Sequence, residues 1–135
     1  MADAYDVIAE KGILEWDDYP RGYMGTKQYR CSDPGFKKNR FYCNESHEED
    51  MIDNDRMKEI IAKQPAGVAI HSNFGCLQHY KKGIVTEHDC KCSDPDKNGD
   101  VNHAVTVIGY GKSDQSNCNG DYWIIKNSWG PYWGD

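Results

Sequence analysis

No apolar run in the 135-residue sequence approaches the roughly 20 residues that cross a bilayer. The longest, at 67–70 and 105–108, suit buried strands instead, so no membrane association is expected. Clusters of lysine and arginine are missing too. The formal charge is −6, from 16 basic and 22 acidic side chains, and no basic stripe tracks a phosphate backbone. Nucleic acid is therefore not an expected partner. The sequence also lacks a charged N-terminal stretch leading into an apolar segment, so no secretory signal is read in it. Internal repeats and low-complexity tracts are absent, which excludes a solenoid or propeller. The length suits a single domain with a core of ordinary size.

Cysteine, by contrast, is abundant. Cys31, Cys43, Cys76, Cys90, Cys92 and Cys118 are more than a chain from a reducing compartment usually carries, and their even number favours disulfides, with the pairing left open. Asn44-Glu45-Ser46 is a glycosylation sequon, which suits the same oxidising route.

Residues 2–11 place Ala4, Val7 and Ile8 at helical spacing ahead of Gly12, which predicts an amphipathic helix with a glycine C-cap. Residues 20–50 show no sustained period and are rich in Gly, Asp, Asn, Lys and Tyr, so loop is expected there. Asp53 or Asn54 as N-cap, then Met57, Ile60 and Ile61, then Pro65 as a stop, predict a second helix over 54–63. Beyond Pro65 the β-prone runs 68–70, 104–110 and 122–126 lie between Gly, Asn and Asp. Helices first and strands later, without regular alternation, indicate an α+β fold.

Two stretches carry chemistry. His103 opens a strand-like run, Val101-Asn102-His103-Ala104-Val105, where the chain leaves the core and an imidazole can face a cleft. By itself it also fits a partly buried histidine bonded to backbone. After a second apolar strand comes Lys126-Asn127-Ser128-Trp129-Gly130. A side-chain amide can accept the imidazole N–H and so fix the ring's tautomer and orientation, with the Trp129 ring shielding the bond. The same residues also fit an Asn-capped turn with core tryptophans.

NHAVTVIGYG followed by DYWIIKNSWGPYWG resembles the histidine and asparagine regions of the papain-like cysteine peptidases. The resemblance extends to MADAYDVIAEKGILEWDDYP, like the helix and Tyr-Pro turn of the family's left-hand domain. It extends also to RMKEIIAKQPAGVAIHSNFGCLQHYKKGIV, like the helix and first barrel strand entering the right-hand domain. It implies a papain-like α+β fold truncated at both ends. Residues 1–30 would be the remnant of the helical left domain, and 31–135 mainly the strand-rich, β-barrel-like right domain.

The implied reaction is peptide hydrolysis through a Cys-His-Asn site. His103 would pair with the thiolate and protonate the leaving amine, Asn127 would orient the ring, and Trp129 would cover the contact. Ala69 and Val101 would line the pocket for the substrate side chain two positions before the scissile bond. The implied partners are peptide or protein substrates and the missing half of the peptidase domain. No cofactor or metal is implied, and the implied location is lysosomal, vacuolar or secreted.

The family pattern also breaks. In papain-like enzymes the histidine and asparagine follow the catalytic cysteine by about 130–150 residues, which places that cysteine, and the oxyanion-hole glutamine before it, ahead of Met1. By the same resemblance Cys31 pairs with a cysteine upstream of this sequence, and a cysteine at Cys90 or Cys92 with one downstream. Cys76 as a replacement nucleophile is disfavoured, because it falls between two barrel elements rather than at the head of a buried helix. A catalytically inactive papain-like binding or structural module is the alternative function. Two metal readings are weaker. Asp94, Asp96, Asn98 and Gly99 imitate the start of a calcium loop, yet Val105 stands where its last ligand should be. His88, Cys90, Cys92 and Cys118 are zinc-capable, but Cys-x-Cys is tighter than structural zinc sites use.

Overall fold

The computed structural model describes residues 2–15, 18, 40–50, 52–90, 101–115 and 118–135. The chain divides into two compact units, 1–50 and 51–135. The calcium-like segment 94–99, along with Cys31 and Cys92, lies outside the described residues. Among the described residues no helix is long and apolar enough to cross a membrane.

In the first unit, helix α1 (Ala2–Lys11) has the predicted bounds. It stops because Gly12 turns the chain at φ +69°, a left-handed conformation that costs other residues a Cβ clash. The Gly12 amide still donates to the Ile8 carbonyl. Arg40 donates from Nη1 to the Lys11 carbonyl at 2.7 Å, placing positive charge at the negative end of the helix dipole. Ile13 and Phe41 then exchange backbone hydrogen bonds in an isolated antiparallel bridge, and Leu14 beside it is buried. Residues 42–50 contain no helix or strand, in line with the loop expected there.

The second unit begins with helix α2 (Asn54–Ile61), whose N-cap is Asp53: its carboxylate accepts from the Arg56 amide. The helix ends ahead of the predicted residue 63, in a turn before Pro65. A three-stranded antiparallel sheet follows in the order β1 (Ala66–Ile70), β2 (His103–Gln115), β3 (Cys118–Lys126). On β2, Val105 and Val107 are buried, and α2 packs on this strand with Ile61 buried as well. Three buried aliphatic side chains are thus the core among the described residues of this unit.

Strand β2 runs well past the expected end at Gly109-Tyr110-Gly111. The reason is cross-strand: the Tyr122 ring lies over Gly111, where an added Cβ would come within 2.5 Å of it. Glycine at this position makes room for a ring rather than for a turn. Gly111→Ala is accordingly expected to destabilise the unit by about 1–3 kcal/mol, the range for overpacking. A lowered urea midpoint at unchanged m-value would show it.

Two short helices, α3 (Gly75–Gln78) and α4 (Glu87–Cys90), connect β1 to the segment before β2. Thr86 and Asp89 cap α4 reciprocally: the Thr86 amide and hydroxyl donate to the Asp89 carboxylate, and the Asp89 amide donates to the Thr86 hydroxyl. Those bonds hold the Asp89 carboxyl below its usual range. A disulfide joins Cys76 to Cys90 across the connection, with Cα atoms 5.2 Å apart. For Cys90 this corrects the expected downstream partner, since helices α3 and α4 bring Cys76 within bonding reach. It also removes Cys76 as a thiol nucleophile and Cys90 from the zinc-capable set.

Across the unit, Lys58 of α2 donates to Asp121 of β3 at 2.6 Å. The bond raises the lysine pKa and lowers that of the carboxyl. The pair's contribution is therefore present between the two titrations: it is lost as pH falls through the lowered carboxyl value and as it rises through the raised ammonium value. Asp121→Asn should flatten stability against pH at the acid edge of that window, read as urea midpoints measured from pH 2 to 7.

Candidate functional site

The antiparallel ladder brings the start of β2 and the end of β3 to the same end of the sheet. His103 is the first residue of β2 and pairs with Ile70 of β1, while Lys126 closes β3 opposite Thr106. By strand alternation His103 shares the face of Val105 and Val107. Its ring therefore continues the buried stripe to the sheet edge, where it is half-buried. Asn127 follows immediately after β3.

The two side chains meet, with His103 Nε2 2.8 Å from Asn127 Oδ1. The amide oxygen also accepts the Ser128 backbone N–H at 2.8 Å, which fixes the orientation of the amide. An oxygen cannot donate, so Nε2 carries the proton. Nδ1 is left uncommitted among the described residues. The Trp129 ring stacks on the imidazole, with centroids 4.9 Å apart and planes 26° from parallel.

The backbone beside His103 is anchored on its other side. The Asn102 amide donates to the Ile70 carbonyl at 3.0 Å, and Asn102 Oδ1 accepts from both the amide and the hydroxyl of Ser72, each at 2.9 Å. Ala69 lies opposite Ala104 in the ladder, on the sheet face away from His103, and both are exposed. Val101 is 61% exposed, two residues before the histidine.

Sequence reasoning missed the layer behind Trp129. Trp133 meets Trp129 edge to face at 5.3 Å and donates its indole N–H to the Leu77 carbonyl of α3 at 2.8 Å. The Tyr80 ring lies 5.3 Å from Trp133. Tyr80, whose phenol is pushed up by partial burial and then by Asp135, donates to the Gly83 carbonyl at 2.7 Å. Residue spacing gives no signal for the contacts of Trp133 with Leu77 and Tyr80, because they join segments more than fifty positions apart. Asn102 and Ala104 were within reach of the same reading, as the immediate neighbours of His103.

Chemically, the site holds one imidazole with one nitrogen pinned by an amide oxygen and the ring sheltered by an indole. Such a group can exchange a proton at Nδ1 without rotating. No cysteine thiol described in this unit reaches it. Cys76 and Cys90 are bonded to each other, and Cys118 pairs with Gln115 at the end of the β2–β3 hairpin opposite to His103.

Comparison with known proteins gives the context. The model of the papain family cysteine proteases matches residues 1–135. The chain is 34% identical to Probable cysteine protease RDL2 of Arabidopsis thaliana, covering all of this chain and 34% of that protein. It is 36% identical to Germination-specific cysteine protease 1 of the same plant, over all of this chain and 32% of that one. Cathepsin L2 of Homo sapiens is 32% identical over 99% of the chain and 38% of its own length. Among solved structures, the ragweed pollen allergen Amb a 11 cysteine protease in its proform superposes with a TM-score of 0.76 at 28% identity, covering all of this chain and 37% of that one. The chain thus spans about a third of the length of the curated relatives it matches. With a family model matched from end to end and a sheet that superposes on a papain-like proform, this chain belongs to the papain family of cysteine proteases.

Proposed function

We propose that the chain supplies the histidine and asparagine of a Cys-His-Asn peptidase site. The observation that carries this reading is the 2.8 Å contact of His103 Nε2 with Asn127 Oδ1 beneath the Trp129 ring. With Nε2–H held by the amide, Nδ1 takes the thiol proton and the thiolate–imidazolium pair forms. The thiolate attacks the scissile carbonyl carbon. The imidazolium then protonates the leaving amine as the C–N bond breaks, giving a thioester. Water, deprotonated at Nδ1, hydrolyses the thioester and returns the thiol.

The nucleophile and the glutamine that binds the oxyanion come from sequence outside these 135 residues. Ala69, Val101 and Ala104, all exposed beside the start of β2, form part of the wall for the substrate side chain two positions before the cleaved bond. Small groups there suit apolar side chains. Substrates are peptides or proteins, and the compartment is lysosomal, vacuolar or extracellular, a reading supported by the cysteine content and the Cys76–Cys90 disulfide.

The test begins with the coding sequence for about 150 codons upstream of Met1. A glutamine followed by a cysteine in a Cys-Trp context supports the reading, as does hydrolysis of a fluorogenic peptide by the encoded protein that is lost in His103→Ala. A coding sequence with serine, glycine or nothing at the cysteine position overturns it, in favour of an inactive binding module.

A further inference from the structure

The Cys76–Cys90 disulfide stands at one end of a continuous set of contacts that finishes on the imidazole. Helix α3 is only four residues long, and its N-cap, Phe74, makes no side-chain capping bond. So short a helix has little stability of its own. The disulfide fastens it to the reciprocally capped α4. From α3, the Leu77 carbonyl holds the Trp133 indole at 2.8 Å. Next to it the Tyr80 carbonyl accepts the Gly134 amide at 3.3 Å, and Lys81 donates to the Tyr132 carbonyl at 3.1 Å. Trp133 supports Trp129, and Trp129 covers His103. The segment 129–134 thus has its described anchors on the α3 region, and the disulfide is the covalent link that holds that region in place.

We propose that the Cys76–Cys90 disulfide is a redox-sensitive brace for the His103–Asn127 pair, acting through Leu77, Trp133 and Trp129, with Trp133 as a positioning residue. The proposal rests on the role given above to His103 and adds a form of regulation to it. Cys76 lines a cavity of about 570 Å³ bordered by Tyr80, Lys82, Val85 and Gln115, which gives a small dithiol a route to the sulfur. Reduction is a two-electron step. A dithiol such as dithiothreitol forms a mixed disulfide with one sulfur and then closes to its cyclic disulfide. Two cysteine thiols are left, with both protons supplied by the dithiol. The freed α3 then lets Trp133 leave the Leu77 carbonyl, and Trp129 loses its support. The imidazole N–H is exposed to water.

The 135-residue chain itself serves for the test, read by NMR without any peptide turnover, so failure here is separate from failure of the peptidase reading. In the oxidised protein the Trp133 indole N–H and the His103 Nε2–H should both exchange slowly. Dithiothreitol should speed exchange of the Trp133 indole proton about two- to tenfold, the equivalent of one released hydrogen bond, and should broaden or abolish the His103 Nε2–H resonance. The β2–β3 backbone amides should keep their protection. The Cys76→Ser/Cys90→Ser double variant should behave as the reduced protein with no reductant present. Trp133→Phe, which keeps a ring and loses the donor, should expose His103 Nε2–H in the oxidised protein. An unchanged His103 Nε2–H on reduction overturns the proposal. So does its loss together with the β2–β3 amide protection, which would make the disulfide a general stabiliser.

Discussion

On the proposed Cys-His-Asn reading, His103→Ala in the full-length protein should lower kcat/KM by about 10⁴-fold, the upper range for a proton-transferring group. Asn127→Ala should cost about 10²-fold, the scale of a misplaced catalytic group. The difference follows from geometry. In that reading the imidazole moves the proton, whereas the amide holds one tautomer and one ring orientation through the 2.8 Å contact at Nε2. With Asn127 removed, the ring keeps its stack on Trp129 and still samples the productive orientation. The double variant should be no slower than His103→Ala alone, because a residue that works only through the ring has nothing left to orient. Multiplicative losses in steady-state kinetics of the three variants would mean that Asn127 acts on substrate directly.

Val107→Ala should lower the stability of the unit 51–135 by about 2–3 kcal/mol. Val107 is 3% exposed, and only Val105 and Ile61 join it as buried apolar side chains among the described residues of that unit. The adjacent Ile108 is 46% exposed, and Ile108→Ala should fall within about 1 kcal/mol of the parent despite removing a larger side chain. Urea titrations of the two variants separate the effects, since equal midpoint shifts would place the core elsewhere. Against a typical domain stability of about 5–15 kcal/mol, the Val107 truncation alone takes a substantial share.

The candidate site was legible in the sequence to the extent that its residues sit on strand ends. His103 and Asn127 each adjoin an apolar run, and antiparallel pairing of two such runs brings the start of one beside the end of the other. Helix α1 was legible because Gly12 marks its end, and α2 because Asp53 and Pro65 bracket it. Helices α3 and α4 were not, since four residues cannot display a 3.6-residue period. Pairing of Cys76 with Cys90 depends on where those helices stand, which spacing alone does not encode. The length of β2 was hidden for another reason. Gly109 and Gly111 read as punctuation, yet the Ile124 and Tyr122 side chains pack over them from β3.

The ladder between β2 and β3 shifts register between Val107 and Gly109, and that irregularity divides the hairpin into two lengths. The part from His103 to Val107 keeps the imidazole and the amide in step with each other, while the part from Gly109 to Gln115 counts separately toward the tip. A residue gained or lost near positions 115–118 can be taken up where the pairing is already offset. The outer hairpin is therefore open to variation in length, a surface on which related chains can diverge while the contact between His103 and Asn127 is kept.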